Sequence, residues 1–263
     1  MKIAITGSTG VLGKEFIKKF PRYKYLKYRH DILNQKKLKN WILNNDFDIF
    51  LHFAAIVPTM IAKKNYKYVK KINFQGTSLI LDLISKKKNI YFLFTSTSHV
   101  YNYSNKPISE KNKTKPISKY GLSKLQAERV IKKKLKKAKI NYSIARIFSF
   151  TNFNQNESYF VPGAFLGRIK YVNTIRDIID IRDLCNALNY LIKKRAKGIF
   201  NVATGKKTNL NSVISYAQKR KIILTEKPKN NLFANIKKIK SLGWSPKYNI
   251  KDTLKDFKKK YKK

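Results

Sequence analysis

The chain has 263 residues, of which 59 are Lys or Arg and 14 are Asp or Glu, so its formal charge is +45. Hydrophobic residues make up 43% of the chain and aromatic residues 13%, which is enough to build a core and excludes a disordered basic tail. A single cysteine, Cys185, excludes a disulfide scaffold. The three histidines have no metal-ligand spacing, so no metal site is predicted.

The positive charge is mostly lysine. Of the 59 basic residues, 50 are Lys and 9 are Arg, and they are spread over the whole chain. Arginine binds phosphates and guanines through a planar fork, whereas lysine is a well-hydrated point charge. We therefore interpret most of the charge as solvated surface and predict no specific nucleic-acid partner. No apolar run approaches the ~20 residues of a membrane span. The N-terminal MKIAITG does not fit a signal peptide, so we expect a cytoplasmic protein.

Apolar, β-branched runs alternate with helical patterns along the first part of the chain. The apolar runs predict strands at 2–6, 23–28, 47–54, 90–96 and 142–148. Helical patterns follow at 14–20, 33–44, 65–85 and 119–138. This alternation predicts an α/β fold with a doubly wound parallel sheet. We place the main domain at 1–150, with a returning segment near 172–192, and a small C-terminal lobe at 151–171 and 193–263.

Three glycines with equal spacing, Gly7, Gly10 and Gly13, lie between the first predicted strand and the first predicted helix. In such a turn the first glycine permits the tight bend. The second lets the backbone approach a pyrophosphate at the helix N-terminus, and the third allows close packing of helix on strand. The pattern predicts a dinucleotide site. A structural turn without a ligand is the alternative.

Seven segments in chain order resemble the motifs of one enzyme superfamily. They are TGSTGVLG at 6–13, FAA at 53–55, NFQGT at 73–77, TSTSHVY at 95–101, PISKYGLSK at 116–124, RDIID at 176–180 and LGWSP at 242–246. The superfamily is that of the extended short-chain dehydrogenases/reductases, the NAD(P)-dependent nucleotide-sugar epimerases, dehydratases and ketoreductases. Phe53 departs from its pattern, which usually has Asn or Leu there.

The resemblance implies a Rossmann-type domain, a substrate-binding C-terminal lobe, a nucleotide-diphosphate sugar as substrate and a homodimer. The implied cofactor contacts are Gly7, Thr9, Gly10, Val11, Leu12, Gly13, Asp31, Ile32, Phe53, Ala54, Ala55, Tyr120 and Lys124. The implied substrate contacts are Thr97 and Arg176, the latter holding the diphosphate.

Some of these positions have a simpler alternative. Asp31 could instead cap the next helix, and Arg176 could pair with an Asp of its own segment. His52 and His99 are interpreted as packing or surface residues, and Cys185 as core.

The spacing of Tyr120 and Lys124 places both side chains on one face of a helix. Free tyrosine has a pKa of ~10, and a nearby ammonium favours its phenolate form. Tyr120 can then exchange a proton with a substrate oxygen while Lys124 tunes it. By resemblance, Thr97 hydrogen-bonds the same oxygen. The chain contains 16 Tyr and 50 Lys, so chance spacing is the alternative.

The choice of reaction depends on departures from the family pattern. Ser98 and His99 stand where dehydratases carry Asp-Glu, which disfavours dehydration. Lys27 and Arg29 occupy the strand end where NAD-preferring members carry an acidic residue, so NADP(H) is favoured over NAD(H). The short connection to Asp31 is similar to the dTDP-4-dehydrorhamnose reductase type. We therefore expect reduction of a nucleotide-activated keto sugar, at C4, with Tyr120 as proton donor. The alternatives are an epimerase with tightly bound NAD and a non-catalytic dinucleotide-binding regulatory module.

Overall fold

The computed structural model describes residues 1–57, 59–153, 155, 157–223 and 226–261. The chain divides into two compact units. The first comprises Met1–Asn102, Lys113–Arg146 and Leu188–Phe200, and the second comprises Tyr103–Asn112, Ile147–Ala187 and Asn201–Lys263. The segment that returns to the first unit therefore begins at Leu188, later than the sequence prediction of about 172. The second unit also includes Tyr103–Asn112, a segment that the sequence prediction assigns to the main domain.

A six-stranded sheet with the strand order β2-β1-β3-β4-β5-β9 organises the fold. Its strands are β1 (Lys2–Thr6), β2 (Lys24–Tyr28), β3 (Ile49–His52), β4 (Tyr91–Thr97), β5 (Asn141–Ile147) and β9 (Gly198–Val202). β1 pairs in parallel with β2 and β3, and β3 pairs in parallel with β4. The predicted doubly wound α/β fold is confirmed. Its central strands are buried on both faces, which is why they read as continuous apolar runs.

Helices connect the strands of the first unit. They are α1 (Val11–Lys19), α2 (Gln35–Leu43), α3 (Thr59–Lys64), α4 (Tyr66–Lys70), α5 (Thr77–Ile84) and α6 (Lys119–Lys137), and α8 (Ile181–Lys193) runs from the second unit into the first. α6 begins where Ser118 accepts a hydrogen bond from the backbone N–H of Gly121 at 3.0 Å, a serine cap. Its lysine-rich stretch at 132–137 places Lys132, Lys133 and Lys136 at the surface. In this stretch the lysine charge is therefore solvated, as the sequence predicts for most of the charge of the chain.

The helix predicted over 65–85 is interrupted. A π-helical segment, Lys71–Gly76, separates α4 from α5. Asn73 within it is buried, accepts a hydrogen bond from the backbone N–H of Ile56 at 2.8 Å and donates to Ser123 Oγ at 3.1 Å. Single π-turns inside helices are uncommon and often lie at functional sites. Here the wide turn lets the Asn73 side chain bond both to the backbone of Ile56, after β3, and to Ser123 on α6.

The second unit contains two short sheets and four helices of its own among the described residues. The strands pair as β6 (Ser149–Thr151) with β8 (Ile178–Asp180), and β7 (Ile175–Arg176) with β10 (Thr208–Asn209). The helices are α7 (Phe160–Phe165), α9 (Leu210–Gln218), α10 (Lys237–Ser241) and α11 (Ile250–Tyr261). Buried Val161, Val213, Leu254 and Phe257 form a small core. This core joins α7, α9 and α11 into one packed body.

Candidate active site

The glycine turn meets the steric demands of a dinucleotide cradle. Gly7 has φ +75°, and a Cβ there would lie 2.5 Å from the backbone nitrogen of Ala54. A Cβ on Gly13 would lie 2.2 Å from the carbonyl oxygen of Gly7. At Gly10 the nearest such atom among the described residues is 3.5 Å away, so this side of the turn is open. α1 begins directly after it at Val11 with no side-chain cap from Gly10, and the N-terminus of a helix suits a pyrophosphate.

Alanine substitutions of Gly10 and Gly13 should have different effects on stability. Gly10→Ala should change the free energy of unfolding by less than about 1 kcal/mol, because its Cβ has room, yet weaken dinucleotide binding about tenfold or more by entering the open side. Gly13→Ala should also destabilise the fold, by about 1–3 kcal/mol, because backbone must move. Thermal unfolding and fluorescence titration with NAD(H) and NADP(H) measure both effects. Equal stability of the two variants would contradict this account of the turn.

The other implied cofactor contacts follow the same edge of the sheet. In the parallel register Thr6 pairs with both Tyr28 and His52, so β1, β2 and β3 end together. Thr9 is exposed in the turn, and Val11 and Leu12 are half-buried at the start of α1. Ala54 and Ala55 are half-buried directly after β3. Phe53, the departure from the family pattern, is buried and packs edge-on against Phe16 of α1, with 5.7 Å between ring centroids.

The helix-cap interpretation of Asp31 is wrong. The residue that caps α2 is Asn34, whose side chain accepts from the backbone N–H of Lys37. The Asp31 carboxylate instead accepts from the backbone N–H of Leu33 at 2.9 Å, which closes a local turn. Asp31 is exposed, as is Arg29 before it. Ile32 is buried against the π-helical segment, where a Cβ on Gly76 would lie 2.4 Å from its Cδ1 atom.

His52 is a core residue with two hydrogen-bond partners. Its Nδ1 lies 2.7 Å from Thr6 Oγ1 and its Nε2 lies 2.8 Å from Thr77 Oγ1. Burial, with a smaller contribution from the Lys124 cation, lowers the His52 pKa to about 3, so the imidazole stays neutral. The histidine thus fixes the end of β1, where the glycine turn begins, to α5.

The turn after β4 contacts the start of α6. Thr97 ends β4 and accepts a hydrogen bond from the backbone N–H of His99 at 3.2 Å. A Cβ on Gly121 would lie 2.2 Å from the His99 carbonyl oxygen, so only glycine allows this approach. The His99 ring is 6.0 Å from that of Tyr120, and its Nδ1 is 3.1 Å from Ser118 Oγ. The predicted Thr97 and Tyr120 therefore belong to two segments in direct contact, with His99 packed beside the tyrosine.

Lys124 lies one turn beyond Tyr120 and is 1% exposed, whereas Tyr120 is 8% exposed. Its Nζ lies 3.9 Å from the centroid of the Phe94 ring, a cation–π contact. Burial lowers the pKa of Lys124 to about 7, and the nearby Glu128 carboxylate acts in the opposite direction. A lysine with this pKa can change its charge near neutral pH, which suits a residue that tunes a neighbouring acid or base.

Arg176 lies in the second unit, half-buried. Its Nη1 donates to Thr174 Oγ1 at 2.7 Å and to the carbonyl oxygen of Asn230 at 2.6 Å, and its guanidinium lies over the Tyr103 ring. The neighbouring Asp177 accepts from Thr204 and Gly205. The alternative of an Asp pairing within the segment is therefore not what the structure has. Burial lowers the pKa of Arg176.

Sequence reasoning placed Asn73 only in the NFQGT segment, and it missed Glu128 and Arg146, which also support this site. Asn73 holds Ile56, just after the FAA segment, and Ser123 on α6. Glu128 and Arg146 form a buried ion pair at 2.6 Å behind Lys124. The available signal was position alone: Glu128 follows Lys124 by one helical turn. Cys185 is buried, as predicted.

A family model described as GDP-mannose 4,6 dehydratase matches residues 8–231. The chain belongs to this family. The family lies within the extended short-chain dehydrogenase/reductase superfamily, and the chain is accordingly an enzyme of that NAD(P)-dependent type. The UDP-glucose 4-epimerase of Lactobacillus helveticus is a relative with 23% identity, and the match covers 97% of this chain and 95% of that protein.

Solved structures of other proteins share the fold. The UDP-glucose 4-epimerase of Thermus thermophilus, in complex with NAD, superposes with a TM-score of 0.88 at 14% identity and covers 99% of both chains. RMD from Pseudomonas aeruginosa, complexed with NADPH, superposes with a TM-score of 0.87 at 21% identity, covering 99% of this chain and 98% of that one.

None of the helices among the described residues combines the length and apolarity needed to cross a bilayer. Within the same residues, His, Cys, Asp and Glu form no group of three able to hold a metal ion.

Proposed function

We propose that this enzyme is a nucleotide-sugar 4-epimerase that retains its nicotinamide dinucleotide through the reaction cycle. The observation that carries the proposal is the contact between the Thr97–His99 turn and the first turn of α6, at the sheet edge where the glycine turn also lies. Family membership and the full-length match to an epimerase support it. This differs from the reductase expected from the sequence, for which the relatives give no specific support.

In the proposed reaction Tyr120 takes the proton of the sugar 4-hydroxyl and later returns one to the keto oxygen. Lys124, when cationic, favours the phenolate form that the first step needs. Thr97 donates a hydrogen bond to the same oxygen. When bound, the dinucleotide supplies hydride transfer to and from the sugar carbon. The chain's own residues orient the sugar oxygen and move the proton.

Dehydration is not part of the proposal, although the family model is described by that activity. A dehydratase must remove a further proton from the sugar, which calls for a carboxylate beside the catalytic threonine. Here Ser98 and His99 follow Thr97 in a 3-10 turn, and Ser98 is buried. Neither residue supplies the carboxylate that this step calls for.

A C4 keto-sugar reductase is the second candidate, and one observation favours it. Arg29 is exposed immediately after β2, whose end lies beside the glycine turn. A cation there suits the 2′-phosphate of NADP(H), and a reductase must exchange its cofactor each cycle.

We assign the dinucleotide to the first unit, which also carries Thr97 and Tyr120 as the proposed contacts of the sugar oxygen. Arg176 is the proposed contact for the sugar diphosphate, since a guanidinium has five N–H donors and Nη1 carries only two of them. The proposal includes a homodimer. Exposed Ile61, Tyr68 and Leu122, on α3, α4 and α6, are compatible with a partner surface.

Purification without added cofactor, followed by acid release and chromatography of any bound dinucleotide, distinguishes the candidates. The expected result is NAD at close to one equivalent, and interconversion of UDP-glucose and UDP-galactose without added cofactor. An empty site that binds NADPH more tightly than NADH, with NADPH consumed by a 4-keto sugar, would replace the epimerase with the reductase. A chain that binds neither dinucleotide would overturn both.

A further inference from the structure

Three charged side chains are buried together behind the proposed catalytic tyrosine. Lys124 is 1% exposed, Glu128 is 0% exposed and Arg146 is 2% exposed. The first two lie one turn apart on α6, and Arg146 lies on β5. Burying charges costs several kcal/mol per ion unless they are paired and hydrogen-bonded. This chain keeps three charged side chains buried here in spite of the free-energy cost of burial.

The Glu128 carboxylate joins three elements. Its Oε1 accepts from Ser96 Oγ of β4 at 2.6 Å and from Arg146 Nε at 3.0 Å. Its Oε2 accepts from Arg146 Nη2 of β5 at 2.6 Å. Ser96 directly precedes Thr97, the proposed orienting residue. One carboxylate therefore ties the helix of Tyr120 and Lys124 to the strand of Thr97.

The two cations rest on rings from the same strand and its following turn. The Arg146 guanidinium lies 4.7 Å from the centroid of the Tyr101 ring, just after the 3-10 turn. Lys124 Nζ lies 3.9 Å from the Phe94 ring, in β4. The segment from Phe94 to Tyr101 is thus held at both ends by cations that belong to the Glu128 network.

We infer that Glu128 and Arg146 form a positioning pair, which sets the catalytic face of α6 against Thr97 and supplies the negative charge that keeps Lys124 cationic during turnover. The inference rests on the proposed function of Tyr120 and Lys124, and adds to it how the helix that carries them is held and charged.

The groups around Lys124 explain why the carboxylate matters. From β3, His52 faces it as a neutral imidazole. From β4, the Phe94 ring carries no charge, and from β5 the Arg146 cation is already paired with Glu128. On α6, Tyr120 and Glu128 are its titratable neighbours, and Glu128 raises the Lys124 pKa against the effect of burial. Removing that one negative charge leaves only the cation–π contact with Phe94 to offset the burial of the ammonium.

The main test is the pH dependence of turnover in Glu128→Gln. The amide keeps the size and an acceptor for Ser96 but removes the charge. Activity should fall about tenfold near pH 8, and the alkaline limb of the kcat profile should move about one pH unit lower, because Lys124 loses its proton earlier. KM for the nucleotide sugar should change less than about twofold. A uniform loss of kcat with an unmoved limb would overturn the electrostatic part of the inference.

A matched control comes from another ion pair that involves α6. Lys134 pairs with Asp82 at 2.5 Å, and the Asp82 side chain is 59% exposed. Asp82→Asn removes an ion pair between α5 and α6 of the exposed kind, which contributes little. Its pH profile should superpose on that of the unaltered protein.

A readout that needs no substrate separates this inference from the proposed function. With ¹³C-labelled lysine, the resonance that disappears in Lys124→Arg reports the titration of Lys124 directly. In Glu128→Gln that resonance should titrate about one pH unit lower. If it does so in a protein without epimerase or reductase activity, the proposed function fails and the charge-pairing stands. If it titrates unchanged, the inference fails whatever the activity. Should Glu128→Gln not fold, the double variant Glu128→Gln/Arg146→Met leaves no guanidinium without its carboxylate and should shift the Lys124 resonance in the same direction.

Discussion

Tyr120→Phe should lower turnover by about 10³-fold, while dinucleotide affinity changes less than about twofold. The substitution removes only the hydroxyl. The ring keeps its contacts with His99 and with the small cluster of Ala62 and Val69, so the fold and the cofactor cradle remain. Without the hydroxyl no group at this position can exchange the proton of the sugar oxygen. Steady-state kinetics with UDP-glucose and a dinucleotide titration measure the two effects separately.

Tyr66→Phe is the matched control for this variant. The Tyr66 hydroxyl donates to Gln126 Oε1 of α6 at 3.3 Å, so this change also removes a tyrosine hydroxyl that touches the catalytic helix. It lies outside the proposed proton path and should leave kcat within about twofold of the unaltered value. Full activity in Tyr120→Phe, or an equal loss in Tyr66→Phe, would remove Tyr120 from the proposed mechanism.

Local patterns were sufficient to predict the sheet and its glycine turn. β1 is short, apolar and followed by Gly7 because it is a buried strand that ends at a crowded edge. Gly13 must be glycine because a Cβ there would collide with the backbone of Gly7. The regular spacing of the three glycines makes this constraint visible in the sequence. The order of motifs then predicted which strand end would carry Thr97 and which helix would carry Tyr120.

Features that depend on distant partners were not predicted. The helical pattern of 65–85 is continuous, and the π-turn at Lys71–Gly76 is favoured by the bonds of Asn73 to Ile56 and Ser123, which no local period records. Asp31 and Asn34 are both good helix caps, and only the structure shows that Asn34 takes this role.

The charge composition does not indicate that Glu128 and Arg146 form a buried pair. In a chain with a net charge of +45, a glutamate and an arginine near a lysine-rich helical stretch are typical of solvated surface. The partner of Glu128 is 18 residues away on a strand, so their burial follows from tertiary packing. The lysine excess therefore correctly predicts the solvated outer face of α6. It does not predict the inner face of this helix, where Lys124 is buried.

Lys124→Met should abolish most turnover and, at the same time, stabilise the cofactor-free protein near neutral pH. In the folded protein the Lys124 pKa falls from 10.5 to about 7. Between these values the unfolded chain binds one more proton than the folded chain, so the stability of the unaltered protein rises with pH over this window. Below about pH 7 the full penalty applies, on the order of 4 kcal/mol, offset in part by about 1–2 kcal/mol of cation–π attraction to Phe94. A methionine fills the same space without charge, so the variant should gain about 2 kcal/mol at pH 7 and lose that advantage by about pH 10.

Thermal or urea unfolding of both proteins from pH 6.5 to 10 tests this directly. The difference between them isolates Lys124 from the other lysines, whose mutual repulsion also weakens as pH rises. Lys134→Met, on the same helix with its Nζ bonded to Ser78 and Asp82, serves as the control for the loss of a lysine from α6. If the Lys124→Met protein were less stable than the unaltered chain at every pH, the buried ammonium would have a net stabilising effect on the fold. Greater stability with lost turnover would mean that the chain retains an unfavourable buried cation because its chemistry requires one.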